Sequence, residues 1–361
     1  MKKFLLASTA LAVTASTAFA GGLERTTQSM NILFEEGRYF ELSFGLASPD
    51  VSGVLGAPSG DISPTFFNLG AAYKADINET LSYAVIFDQP YGADVAYPGT
   101  FGVDPYPFAG STAEVNSNAI SGILQYNFDN GGSVYGGLRA QTLQAEANLP
   151  VLGGYTIDSN TDFALGYLVG VAYEKPEIAL RVALTYHSET SHDLDLTENV
   201  VLPAATTLTT TQEVKLPQAL NLEFQSGVAE DTLVFGSVRW VEWSVTEINP
   251  PIYDAAPPTR PLVFFDDDRI TYTLGVGRRL NDTWSVLGSL SYEENMGSET
   301  GNLGPVDGFT SISLGAIYRK DNMKITGGVR YAEIGDATSF SGAVFEDNSA
   351  IAAGVRVGWQ F

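Results

Sequence analysis

From residue 39 onward the chain reads as fourteen runs of alternating apolar and polar residues, joined by connections that alternate in length. The runs lie near 39–48, 66–75, 80–88, 116–128, 132–146, 161–174, 177–190, 213–227, 231–247, 268–279, 282–294, 308–319, 321–335 and 347–361. In 161–174 the apolar set Phe163, Leu165, Tyr167, Val169, Val171 and Tyr173 is interleaved with Asp162, Ala164, Gly166, Gly170 and Ala172. A period of two is the repeat of a β-strand. Short turns such as "DNG" (129–131), "KP" (175–176) and "KD" (320–321) alternate with long connections such as 49–65, 89–115, 191–212 and 248–267. Short turns at one end, long loops at the other and an even strand count define the layout of a bacterial outer-membrane barrel. A secreted β-sandwich or solenoid also alternates, but its strands run about 5–6 residues. These runs are longer, and many start or end in aromatics, as the two interfacial girdles of a barrel require. The expected fold is therefore all-β: a transmembrane antiparallel up-and-down barrel of about fourteen strands over 39–361, with a short N-terminal plug.

The first twenty residues read as a cleaved signal peptide. Lys2 and Lys3 precede an apolar stretch from Phe4 to Phe19, and Ala18-Phe19-Ala20 offers a small-residue cleavage site. No other stretch reaches the ~18 apolar residues that a helical span needs. With cysteine absent, no disulfide framework exists. The chain carries 42 Asp and Glu against 19 Lys and Arg. Loss of Lys2 and Lys3 leaves 17 basic residues and a formal charge near −25. That balance excludes a nucleic-acid partner, which needs a basic footprint. The expected location is the bacterial outer membrane, among its lipid and lipopolysaccharide.

In such a barrel the apolar parity faces lipid and the other parity faces the lumen, since no open sheet edge survives in hydrocarbon. Fourteen strands enclose more than wall side chains fill and less than an open porin does, so a plug or ligand is expected inside. Residues 21–38 are assigned to the plug, because Leu23, Met30, Ile32, Leu33 and Phe34 would otherwise face water. By parity the inward basic residues are Lys74, Arg139, Arg181, Lys215, Arg239, Arg279, Arg319, Lys324, Arg330 and Arg356. Buried charges need partners, and Glu24, Glu35, Glu36, Glu41 and Glu223 can supply them. A guanidinium also grips a carboxylate bidentately. Arg139, Arg181, Arg330 and Arg356 are accordingly the candidate lumen site for a substrate carboxylate.

"KLPQALNLEFQSGVAEDTLVFGSVRWVEWS" (215–244), "FDQPYGADVAYP" (87–98) and "DDDRITYTLGVGRRLNDTWSVLGSLSYEENM" (266–296) resemble segments of the FadL/TodX-type outer-membrane transporters of long-chain fatty acids and other hydrophobic compounds. The resemblance covers most of 39–361. It implies a monomer with an N-terminal hatch, a hydrophobic groove among the outer loops and an inner ligand site. It also implies a kink in the third strand that opens the wall sideways, which falls here on Phe87, Asp88, Gln89, Pro90, Tyr91 and Gly92. Pro lacks a ladder N–H and Gly weakens a strand; a wall gap and an ordinary loop start both fit. The amino terminus departs from the family, whose hatch is longer and carries an Asn-Pro-Ala element.

Other chemistry is weakly signalled. "YHSETSHD" (186–193) places His187, Ser188, Ser191, His192 and Asp193 at a strand end, the material of a hydrolase alternative. "FFDDDR" (264–269) offers carboxylates to calcium without an EF-hand pattern. No cofactor or metal site and no catalytic residue is expected. The expected function is passive, non-enzymatic uptake of a hydrophobic, carboxylated compound. Phe101, Tyr106, Phe108, Ile252, Tyr253, Phe264 and Phe265 of the outer loops would capture it by apolar burial, and release would be lateral. A general porin is the transport alternative. The C-terminal "IAAGVRVGWQF" ends on Phe361, resembling the signal read by the barrel-assembly machinery.

Overall fold

The computed structural model describes residues 22–255 and 260–361; the signal peptide expected over 1–20 lies outside them. Fourteen strands form the wall: β1 (Tyr39–Asp50), β2 (Phe66–Asp76), β3 (Leu81–Asp88, resuming at Gly92–Ala96), β4 (Thr112–Asn127), β5 (Gly132–Leu149), β6 (Asp162–Lys175), β7 (Leu180–His187, resuming at Thr190–Val200), β8 (Thr206–Leu216, resuming at Ala219–Ala229), β9 (Thr232–Val241), β10 (Arg269–Arg279), β11 (Trp284–Glu293), β12 (Phe309–Lys320), β13 (Met323–Ile334) and β14 (Ser349–Gln360). Each pairs antiparallel with its neighbours, and β1 pairs with β14 from Tyr39↔Gln360 to Asp50↔Ser349, closing the barrel.

The outward parity is a lipid face. Leu165 (66%) and Phe163 (59%) on β6 are exposed, as are Leu138, Leu274 and Leu314 on β5, β10 and β12. The inward parity of β10–β12 is mostly hydroxyl or glycine: Thr271, Thr273, Gly275, Ser285, Ser289, Ser291, Ser311 and Ser313. A soluble sandwich would bury the first set; here it is the one left outside.

The structure corrects four of these expectations. The predicted strand 231–247 ends at Val241, and Trp243–Val245 turn as a 3-10 helix that tucks Trp243 fully inside. The predicted loop 191–212 is mostly strand: β7 and β8 run on as a hairpin from Thr190↔Leu216 to Val200↔Thr206. The interruption at Pro217-Gln218 shifts the parity of β8, so Val214 and Leu216 share the inner face with Ala219 and Asn221. Lys215, predicted to point inward, therefore faces out and pairs with Glu189 at 3.1 Å. Of the predicted acidic partners, Glu36 is exposed rather than paired with a lumen arginine.

Candidate functional site

The wall is discontinuous between β2 and β3. β2 pairs with β3 only from Ala71↔Phe87 to Asp76↔Ser82. Above that point β3 breaks at Gln89-Pro90-Tyr91 and resumes against β4 at Gly92↔Asn116. Pro90 has no N–H to give, and the Gln89 side chain takes over one ladder bond by accepting from the Leu69 amide at 2.9 Å. The rest of the gap is filled from inside by the N-terminal segment. Arg25 N–H donates to the Pro90 carbonyl (2.8 Å), Gly92 N–H donates to the Leu23 carbonyl (2.8 Å), and Asn68 Nδ2 donates to the Arg25 carbonyl (2.8 Å). Residues 23–26 thus act as a short inserted strand, with Glu24 bridged to Tyr91.

Further along, the segment enters the lumen. Met30, Ile32, Leu33 and Phe34, the last three in a 3-10 turn (Asn31–Phe34), pack on Ala72, Ala84, Ile123, Tyr135 and Leu168 of the wall. Charge ties it down as well. Glu24 accepts from Arg239 Nε at 2.8 Å and from its Nη2, Lys324 donates to Glu35 at 2.6 Å, and Ser29 donates to Glu223 at 2.6 Å.

The four predicted carboxylate-binding arginines do not form one site. Arg139 and Arg356 line a cavity of about 90 Å³ below residues 26–32, together with Asp88 and Glu41. Its lining also includes Phe44 and Leu69, which are exposed on the outer face, and Phe87. Arg139 donates to Gln28 Oε1 at 2.5 Å and stands 3.7 Å from Asp88; Arg356 stands 3.6 Å from Glu41. Arg330 lines a separate polar cavity with Glu223, Arg239 and Thr271, bonds Ser311 at 3.0 Å and lies over Phe309. Arg181 is held by Asn31 Oδ1 at 2.5 Å and stacks on Phe34.

Above the segment the chemistry changes. A cavity of about 220 Å³ beneath the outer loops is lined by Tyr97, Phe108, Leu149, Val151, Leu152, Tyr253, Leu262, Leu303 and Phe340, with Ser111, Asn302 and Ser341 as its polar edge. Leu303 also lines a second cavity, with Leu23, Ala93, Val115, Phe264 and Phe265. It lines a third too, with Leu23, Arg25, Pro64, Phe66, Gly92, Asp94 and Phe265. The three descend from the outer pocket to the β2–β3 gap, and Arg25 is the one basic residue among their linings. Glu198 fixes the roof: fully buried, it accepts from Tyr155 Oη (2.9 Å) and from the amides of Ile252 (3.0 Å) and Tyr253 (3.2 Å).

Of the predicted capture residues, Phe108 and Tyr253 line the outer pocket, and Phe264 and Phe265 line the passage below it. Tyr106 stands behind, stacked on Tyr97 at 5.4 Å, and Ile252 packs behind the passage. Phe101 is 44% exposed on a turn that projects into solvent, and it lines none of these cavities. Of the six gap residues, Tyr91 is buried edge-on against Trp243 at 5.4 Å. Asp88 accepts from Thr26 at 3.2 Å. Sequence reading passed over Arg25, Leu303 and Glu198; the gap and the roof that give them meaning are assembled from residues on separate strands and loops, far apart in the chain.

The hydrolase residues do not converge. His187 is buried in the lumen, and His192 lies 3.3 Å from Asp162 on the inner face. Ser191 is exposed on the outer face, and Ser188 Oγ accepts from the Tyr167 amide at 2.9 Å. In "FFDDDR", Asp266 pairs with Arg260 at 2.5 Å and Asp268 accepts from Ser244 Oγ at 2.6 Å. No cluster suited to a metal ion occurs among the described residues.

A closed fourteen-stranded barrel with its N-terminal segment inside and apolar cavities under its outer loops belongs to the class of outer-membrane transport barrels. The chain is a member of the outer membrane protein transport protein family (OMPP1/FadL/TodX), whose model matches residues 55–338, and it resides in the bacterial outer membrane. Among solved structures it is similar to a Pseudomonas aeruginosa FadL homologue (12% identity, 92% of each chain, TM-score 0.73). It is similar also to the Pseudomonas putida toluene transporter TodX (12% identity, 97% of each chain, TM-score 0.69). The Ralstonia pickettii toluene transporter TbuX matches at 16% identity over 97% of this chain and 100% of its own, with a TM-score of 0.64. At these identities the likeness is one of fold. No curated protein sequence matches the chain.

Proposed function

We propose that the barrel passes small uncharged hydrophobic compounds across the outer membrane without catalysis, capturing them beneath the outer loops and releasing them sideways between β2 and β3. The N-terminal segment is then the hatch that closes the lumen and steers the solute to the wall. The observation that carries this reading is the run of three cavities sharing Leu303, apolar beneath the outer loops and ending at the gap beside Arg25 and Asp94. The outer pocket, at about 220 Å³, exceeds the roughly 150 Å³ that suffices to hold benzene in an apolar interior. With no basic residue in its lining, it offers a carboxylate no partner. A monoaromatic hydrocarbon, the compound class handled by the toluene transporters of the same fold, fits both facts.

A second reading, an amphiphile with an acidic head, is favoured by one observation. Arg139 Nε and Nη2, Arg356 Nε and Gln28 Nε2 are buried without hydrogen-bond partners around the lower cavity. Uptake of labelled toluene and of labelled oleate by cells expressing the full chain separates the two. Leu303→Trp, which fills the shared passage, is expected to reduce toluene uptake to the level of cells lacking the protein. Arg139→Ala with Arg356→Ala is expected to leave toluene uptake intact. Toluene uptake unaffected by Leu303→Trp would overturn the proposed route, and oleate uptake lost only in the double arginine variant would establish the second reading.

A further inference from the structure

Arg25 occupies the gap itself. Its guanidinium carbon lies 4.4 Å from the ring centroid of Phe66 on β2. On the other side it lies flat against β3, where a Cβ added to Gly92 would come within 2.6 Å of Arg25 Nε. One side chain thus spans the place where the two strands do not pair. Its Nε is buried and has no hydrogen-bond partner, and Arg25 makes no ion pair within 4.0 Å among the described residues. Asp94 and Glu114 approach it, so an anion arriving here meets two carboxylates for one guanidinium.

We infer that Arg25 is the specificity-determining residue of the β2–β3 window, passing aromatic solutes in preference to aliphatic ones by exchanging the ring of Phe66 for that of the ligand. A cation held against a ring face is attracted by the ring quadrupole, an attraction worth about 1 kcal/mol in a partly desolvated site. To let a solute through, Arg25 leaves Phe66. An aromatic ligand restores the lost stacking as it passes, and a saturated ring of the same size does not. The window therefore opens at lower cost to the aromatic compound. This inference rests on the lateral route proposed above.

Toluene and methylcyclohexane form a matched pair, alike in size and uncharged. Competitive uptake by cells expressing the full chain is expected to favour toluene by roughly fivefold, the factor that about 1 kcal/mol gives. Arg25→Met removes the cation, keeps an unbranched though shorter side chain and leaves the backbone bonds of residues 23–26 in place; it is expected to bring the ratio to about one. Gly92→Ala keeps the charge but displaces it from the gap, and is expected to lower the ratio in the same direction. A ratio unchanged in Arg25→Met and Gly92→Ala, with both compounds still taken up, would overturn the role of Arg25 and leave the route standing. Uptake of neither compound above that of cells lacking the protein would overturn both.

Discussion

Glu24 and Arg239 lie on opposite sides of the question of what holds a short segment inside a large barrel. Both are buried, at 5% and 4% of their free exposure, and the guanidinium reaches the carboxylate through Nε and Nη2. Arg239 also donates to Asn221 at 2.6 Å, and Asn221 in turn donates to the Thr27 carbonyl at 2.9 Å. Removing one member of such a pair strands the other charge, which costs about 3–5 kcal/mol. Glu24→Gln is expected to release residues 22–34 from the lumen while the wall stays closed. Limited proteolysis should then cut near the N-terminus of the variant and not of the parent, with the barrel core intact on gels. Cutting that is equal in both proteins would mean that apolar packing of Met30, Ile32 and Phe34 alone suffices. Sequence reading named the lumen arginines by parity and a set of acidic partners, but not which pairs with which, because partner choice depends on which strands stand opposite across the lumen.

At the scale of elements, the β7–β8 hairpin carries a titratable device. Beyond the break in β7 its outward residues are Ser191, Asp193 and Asp195, so this part stands above the lipid. His192 is fully buried there, 3.3 Å from Asp162 and 3.3 Å from Thr190 Oγ1. Burial holds its pKa below the usual value of 6.5, and the attraction of Asp162 and Asp193 only partly opposes that. Between the lowered folded value and about 6.5 the unfolded hairpin binds a proton that the folded one does not. Stability is therefore present above about pH 6.5 and is lost as the pH falls through that window. Amide exchange over 190–216 is expected to be faster at pH 5 than at pH 7.5 once corrected for intrinsic rates, and His192→Asn is expected to remove the difference. No pH dependence in the parent would show that Asp162 dominates. The strands of this hairpin were legible only to residue 190 and from residue 213. On β8 polar threonines occupy both faces near the tip, and on β7 the apolar inner side is signalled by Leu194 and Leu196 alone.

At the scale of the molecule, two buried clusters stand where the proposed route requires the periplasmic end to be closed. The N-terminal segment covers the half of the lumen under β2–β7. In the other half, wall side chains fill space: Leu233 and Phe235 of β9, Leu287 of β11 and Ile317 of β12 meet with Ala179 in one buried cluster. Gly275 of β10 makes the room, since a Cβ there would come within 2.3 Å of the Phe235 ring. An apolar constriction blocks ions by refusing to stay wet. In planar bilayers the parent is expected to conduct almost nothing. Phe235→Ser with Leu287→Ser is expected to raise conductance several-fold with residues 22–38 still in place. A large conductance of the parent, insensitive to toluene, would instead mark a general porin.

The sequence by itself determined the class of fold, since a period of two, a length per run and the alternation of short and long connections are local properties that lipid outside and polar lumen inside impose on every strand. It determined the C-terminal strand too: Ile351, Ala353 and Val355 face lipid while Arg356 turns inward. Only the tertiary structure decided where the wall fails to pair, which arginines share a cavity and which residues line a path. Those facts depend on strand register and on a segment crossing the lumen to meet β3. Arg25 becomes a candidate for function only once Phe66 and Gly92 have been brought to either side of it.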